Sequence, residues 1–210
     1  MYLPGHFRES RIEVLHSFIR SHPLAVLVAM CTEGLSAEHV PMQLLPRSEG
    51  VGVLRGHIAR SNSLWRALDA NSSILAIFSG ADHYISPSWY PSKRLDGRVV
   101  PTWNYNAVHV RGQIRFIEDP SWLRALVESL TDEHEADSSH PWKISDAPAD
   151  YLQSMLQAIV GIEIAVTSME GKFKASQNRP AGDRTGVAQA LHDRGLPADL
   201  VTELVREPGA

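Results

Sequence analysis

The run Leu24-Ala25-Val26-Leu27-Val28-Ala29-Met30 decides the fold, together with the two extended segments behind it. It is apolar throughout and far too short to cross a bilayer, so it reads as a strand buried on both faces. Thr32-Glu33-Gly34 is a turn, residues 37–45 form a second extended segment, and residues 51–58 form a third. Three strands in a row without an intervening helix argue against a doubly wound parallel sheet, whose neighbouring strands need helical crossovers. The architecture is therefore antiparallel.

Outward from that core, Ile12, Leu15, Phe18 and Ile19 recur at helical spacing after the N-cap candidate Ser10, and Pro23 closes the segment. On the other side, Leu64, Trp65 and Leu68 mark a short helix, and residues 74–78 a strand. Residues 80–103 are rich in proline and aromatics and read as a long ordered loop, a feature that inside a compact domain is usually functional. Val108, Val110, Ile114 and Phe116 alternate with His109, Arg111, Gln113 and Arg115, the period of a half-exposed strand. Asp119-Pro120 starts a helix with Trp122, Leu123, Leu126, Val127 and Leu130 on one face; a loop over 131–139 and a second helix through Tyr151, Leu152, Met155 and Leu156 come next. Ile162, Ile164 and Val166 alternate in a last strand that leads into a polar turn at 171–179. Two C-terminal helices then break at Gly195-Leu196-Pro197. About six strands with peripheral helices make an α+β antiparallel barrel over residues 1–180, with a helical appendage at 181–210.

At 210 residues and 43% hydrophobic content the chain suits one generous domain. Its single cysteine, Cys31, excludes an intrachain disulfide and a cysteine zinc site, and fits a cytoplasmic setting. No signal-peptide layout opens the chain. Twenty basic against twenty-four acidic residues argue against a broad nonspecific hold on nucleic acid. Ten histidines show no metal-ligand spacing, no glycine-rich phosphate loop accompanies Gly50-Val51-Gly52, and no nucleophile elbow surrounds Ser86 or Ser88.

Three constellations remain. In Gly56-His57-Ile58-Ala59-Arg60-Ser61-Asn62 a strand ends as a helix begins, and free N–H groups beside the fork of Arg60 suit a phosphate; alternatively Ser61 or Asn62 merely caps the helix. Tyr84-Ile85-Ser86-Pro87-Ser88-Trp89-Tyr90 with Val100-Pro101-Thr102-Trp103-Asn104-Tyr105 offers apolar faces and edge hydrogen bonds to a flat heteroaromatic ligand, or else pins the loop to the barrel. The segment from Lys172 to Arg179 could bring cations and amides to a phosphate or ring carbonyl, or be a solvated basic turn.

These segments, with Met1-Tyr2-Leu3-Pro4 and His6-Phe7, resemble the PaiB-like family from residue 1 to about 191. The resemblance implies an FMN-binding split β-barrel, antiparallel and Greek-key-like with peripheral helices, forming a homodimer with FMN held noncovalently at the interface. It implies that Arg60, Ser61 and Asn62 face the FMN phosphate with His57 nearby. Ser86, Ser88, Trp89, Thr102, Trp103 and Asn104 would wall the pocket, with Lys174 and Gln177 reaching it from the late turn. PaiB-like proteins are described as negative transcriptional regulators; an FMN-dependent oxidoreductase and a haem or small-ligand carrier are the alternatives. Direct DNA contact is doubtful. The helical pair at 187–194 and 198–206 has a helix-turn-helix outline, yet its second helix sets Asp199 and Glu203, with Glu207 just behind, against Arg206 alone. On this reading Arg60→Ala weakens FMN affinity with little loss of folding, as an FMN titration would measure.

Overall fold

A computed structural model describes residues 1–47, 50–68 and 72–207. Among these the strands are β1 (Arg8–Glu9), β2 (Leu24–Cys31), β3 (Gly34–Pro41), β4 (Gln43–Leu45), β5 (Val53–Ala59), β6 (Ser73–Ile85), β7 (Thr102–Ile117) and β8 (Ile159–Lys174). The helices are α1 (Ile12–Ser21), α2 (Leu64–Ala67), α3 (Lys93–Asp96), α4 (Pro120–Glu135), α5 (Ala149–Gln157), α6 (Ala181–His192) and α7 (Ala198–Leu204). The strands form one sheet in the order β3-β2-β6-β7-β8-β5-β4, with β1 beside β8. The pairings β2–β3, β2–β6, β4–β5, β5–β8 and β1–β8 are antiparallel. The expected antiparallel α+β architecture is the one found.

Two compact units make up the chain, Met1–Phe18 with Phe78–His109 and Glu170–Ala210, and Ile19–Ile77 with Val110–Met169. In the second unit the two ends of the strand order, β3 and β4, are separated in the chain by Met42 alone. A single residue cannot span an open sheet, so the sheet curls until its edges meet. Met42 is buried, and its N–H donates to Pro23 O at 2.8 Å. Gly56 lies under this corner: a Cβ there would sit 2.6 Å from Pro41 O and 2.7 Å from Met42 Sδ. The interior is filled by Ala25, Leu27, Val40, Leu54, Ile58, Ile114, Ile162 and Ile164, all buried.

β2 is not buried on both faces as its apolar run suggested. Ala25, Leu27 and Ala29 face the interior, whereas Leu24 is 56% and Met30 67% exposed. Two-faced burial belongs to β8 instead, where Val160 to Ile164 are all buried. Trp122 of α4 lies where a Cβ of Gly161 would be, so a helix covers the outside of that strand. Beneath it Glu163 accepts from Arg55 Nε at 2.8 Å and from Arg115 Nε at 2.8 Å. Burial alone would raise the Glu163 carboxyl, but the hydrogen bonds and charges of Arg55 and Arg115 outweigh it and hold it below the usual carboxylate range.

The first unit replaces most of the expected long loop with structure. β6 runs on to Ile85, a 3₁₀ turn spans Pro87–Trp89, α3 comes next, and β7 already begins at Thr102. Ser79, Gly80 and Asp82 hid the strand, because polar residues and glycine lower the apparent β-propensity of a stretch that pairing nonetheless holds. Likewise β8 continues through the expected turn to Lys174, and α4 reaches Glu135 with its last turn solvated. The Asp119 cap is present, its side chain accepting from Trp122 N–H at 2.7 Å. α6 and α7 share a core with the 3₁₀ segment: Ile85, Tyr90, Val187, Leu191 and Leu204 are buried together. The C-terminal helices of the expected appendage thus pack within this unit, and residues 208–210 lie outside the described residues.

Two substitutions test these packings. Gly56→Ala forces backbone to move at the Met42 corner and should cost about 1–3 kcal/mol, seen as a lower urea midpoint. Glu163→Gln should cost about 2 kcal/mol, since it leaves two guanidinium groups, themselves partly solvated, without their counter-charge. Because the folded pKa of Glu163 lies below its unfolded value, its contribution is full above the ordinary carboxylate range and fades as pH falls through the folded value. The stability gap between wild type and variant should therefore narrow on acidification; a pH-independent gap would contradict the ion-pair account.

Candidate functional site

Alternation along β7 separates two jobs. Asn104 and Asn106 point inward, each 1% exposed. Asn104 Nδ2 donates to Ser176 Oγ at 2.8 Å and Leu204 O at 2.9 Å, and Asn106 Nδ2 donates to Glu203 O at 2.9 Å. These amides anchor α7. Trp103 and Tyr105, between and beside them, face the other way.

On that outer face Trp103 is 54% exposed, with Tyr84 edge-on at 6.1 Å between ring centroids. Trp103 and Tyr105, with Ser79, Gly80 and Asp82, line a cleft of about 310 Å³. β8 sets two cations beside it. Lys172 Nζ lies 5.3 Å from the Tyr105 ring centre and 5.7 Å from that of Tyr2. Lys174 Nζ donates to Thr102 Oγ1 and to Trp103 O, both neutral acceptors. Burial first, then the charges of Lys172 and Arg179, hold the Lys174 ammonium below the usual lysine value. An ammonium among cations, without a carboxylate among the described residues, is poised to take an anion.

Thr102, Trp103 and Lys174 are thus brought together. Other expected residues serve the scaffold. Ser86 Oγ accepts from Ser88 N–H at 3.2 Å, capping the 3₁₀ turn, and Ser88 Oγ accepts from Lys93 Nζ at 3.3 Å. Trp89 lies under Arg194, 4.4 Å from its ring centre, and packs on the α6–α7 core. Gln177 folds onto its own turn, accepting from Ala175 N–H at 2.7 Å and donating to Phe173 O at 2.5 Å. Asn104 is an anchor and not a wall.

In the other unit Arg60 does not present a free fork. Its Nε donates to Gln157 O at 2.7 Å, Nη1 to Glu118 at 2.5 Å and Nη2 to Ile159 O at 3.2 Å. The substitution Arg60→Ala therefore bears on folding, contrary to the expectation from sequence. Asn62 Oδ1 accepts from Leu64 N–H at 2.8 Å in the turn that enters α2, and Ser61 is exposed. His57 keeps a buried Nδ1 without a hydrogen-bond partner among the described residues, and burial lowers its pKa. Sequence reasoning placed Lys172 and Tyr105 in candidate segments without assigning them to the pocket; their i, i+2 relation to Lys174 and Trp103 on strands was the available signal.

Among the described residues no group of His, Cys, Asp and Glu could hold a metal ion, and no helix is long and apolar enough to cross a membrane. Residues 1–168 match the family model described as "Putative FMN-binding domain". An uncharacterised protein of Emericella nidulans is 34% identical over 245 residues, covering 100% of this chain and 98% of its own. The protease synthase and sporulation protein PAI 2 of Bacillus subtilis is 30% identical over 208 residues, covering 99% and 97%. Among solved structures, the flavocytochrome Anf3 from Azotobacter vinelandii has a TM-score of 0.58 at 12% identity, over 80% of this chain and 69% of its own. The FAD and haem binding protein from Mycobacterium smegmatis has a TM-score of 0.59 at 14% identity, over 80% and 73%. At these identities the likeness is one of fold, the split β-barrel.

Asn104→Ala should cost about 2 kcal/mol through two lost hydrogen bonds and speed amide exchange within α7. Unchanged exchange there would show that α7 is held by other means.

Proposed function

The chain belongs to the PaiB-like FMN-binding family, and from that premise we propose that it holds FMN against the Trp103–Tyr105 face. The observation that carries this reading is Lys174, an ammonium with only neutral acceptors beside an open aromatic cleft of about 310 Å³. That size falls within the range of small-ligand pockets. Trp103 and Tyr105 offer apolar surface to a flat ring, and Lys174 and Lys172 supply positive charge at its edge. Bound there, FMN supplies one- or two-electron redox chemistry. The chain's own part is to orient the ring and balance its charge.

The protein acts as a PaiB-type regulator whose effect does not pass through α7 on DNA. Leu204 is buried, and Glu203 accepts from Ala81 N–H at 3.1 Å, so this helix faces its own unit. The same observation favours a second reading, a flavin-dependent oxidoreductase. We place it in the cytoplasm as a homodimer, with the exposed Met30 and Leu35 of the β2–β3 hairpin as candidate contacts.

FMN titration of the purified chain, monitored by flavin fluorescence quenching, is the test. Wild type should bind saturably, and Trp103→Ala and Lys174→Met should each weaken binding about tenfold or more with circular dichroism unchanged. Arg60→Ala should lower the melting temperature and leave FMN affinity intact. Loss of affinity in Arg60→Ala alone would move the site to the end of β5; no binding by wild type would end the proposal. Bleaching of the flavin bands by NADH would select the oxidoreductase.

A further inference from the structure

A second cleft in the first unit, of about 300 Å³, is lined by residues 5–11 together with Phe173, Gln177, Arg206 and Glu207. Apart from the exposed Arg8, its charges are already engaged in all places but one. Glu9 is buried and takes Arg11 through both oxygens, Oε1 from Nε at 3.0 Å and Oε2 from Nη2 at 2.6 Å. Glu207 pairs with Arg184. Glu203, whose charge also reaches Arg206, has Oε1 engaged by Ala81 N–H at 3.1 Å and by Asn106 Nδ2 at 3.3 Å.

Arg206 is the exception. Its N–H donates to Ala175 O at 2.9 Å, which fixes the backbone, and its guanidinium lies 4.4 Å from the Phe173 ring centre. Among the described residues that guanidinium has no hydrogen-bond or ion-pair partner, although burial opposes its charge. A half-buried cation with an empty fork is costly to keep unless something fills it. We propose that this cleft binds a small organic monocarboxylate through the fork of Arg206, at a site separate from the flavin face. One planar fork matches one carboxylate. Three arginines against two glutamates in the lining leave one net positive charge, which matches a monocarboxylate better than a phosphate dianion.

The test uses the full chain at constant ionic strength, with acetate, propionate and inorganic phosphate as probes and the melting temperature and titration heat as readouts. Acetate or propionate should raise the melting temperature saturably, phosphate much less. Arg206→Gln should weaken that response at least about tenfold, and Arg206→Lys, which keeps the charge without the fork, by a smaller factor. The increment caused by the anion is the readout, so a lower starting stability of either variant does not obscure it. A non-saturable response, or one unchanged in Arg206→Gln, would overturn the proposal. So would a response to phosphate equal to that of acetate, or displacement of acetate by saturating FMN.

Discussion

The passage of the chain from β3 to β4 through Met42 is the constraint on which the barrel rests. Two strands at opposite ends of the hydrogen-bonding order are joined by one residue, so closure is built into the connectivity. Closure removes the exposed backbone edges that would otherwise invite pairing with another chain. It also demands a place where two layers touch without side-chain bulk, and Gly56 under Pro41 and Met42 provides it. The interior then needs only aliphatic residues at alternate positions, which β2, β5, β7 and β8 all supply.

A closed barrel still has an outside. Over β8 the covering helix α4 brings Trp122 onto Gly161, and the one acid on that buried surface, Glu163, is matched by two arginines from neighbouring strands. Over β2 the outer face stays apolar and open, with Leu24, Met30 and Leu35 exposed. Two regions of the same outer face therefore differ, and the chain itself covers one of them.

In the first unit the alternation of β7 does the same kind of sorting. Its inward amides hold α7, and its outward aromatics stand beside Lys172 and Lys174. The aromatic and basic segments were legible in the sequence as candidates for a ring and an anion. Which of their residues work together was not, because Ser86, Ser88, Trp89, Gln177 and Asn104 look equally suitable until their hydrogen-bond partners are known. Arg60 shows the limit best: a fork at a strand end reads as a phosphate ligand, and only the fold brings Glu118 to it.

By itself the sequence determined the local patterns: the period of two in β7 and β8, the capped start of α4, the succession of strands that rules out a parallel sheet, and the family. Those arise from backbone geometry and from side chains a few residues apart. Tertiary structure decided which strand is buried on both faces, how far β6 and β8 extend, and which charges are spent and which remain open. Glu163 lies 108 residues from Arg55, and Lys174 lies 72 from Thr102. Pairings at that distance depend on how the sheet closes, and no short-range pattern carries them.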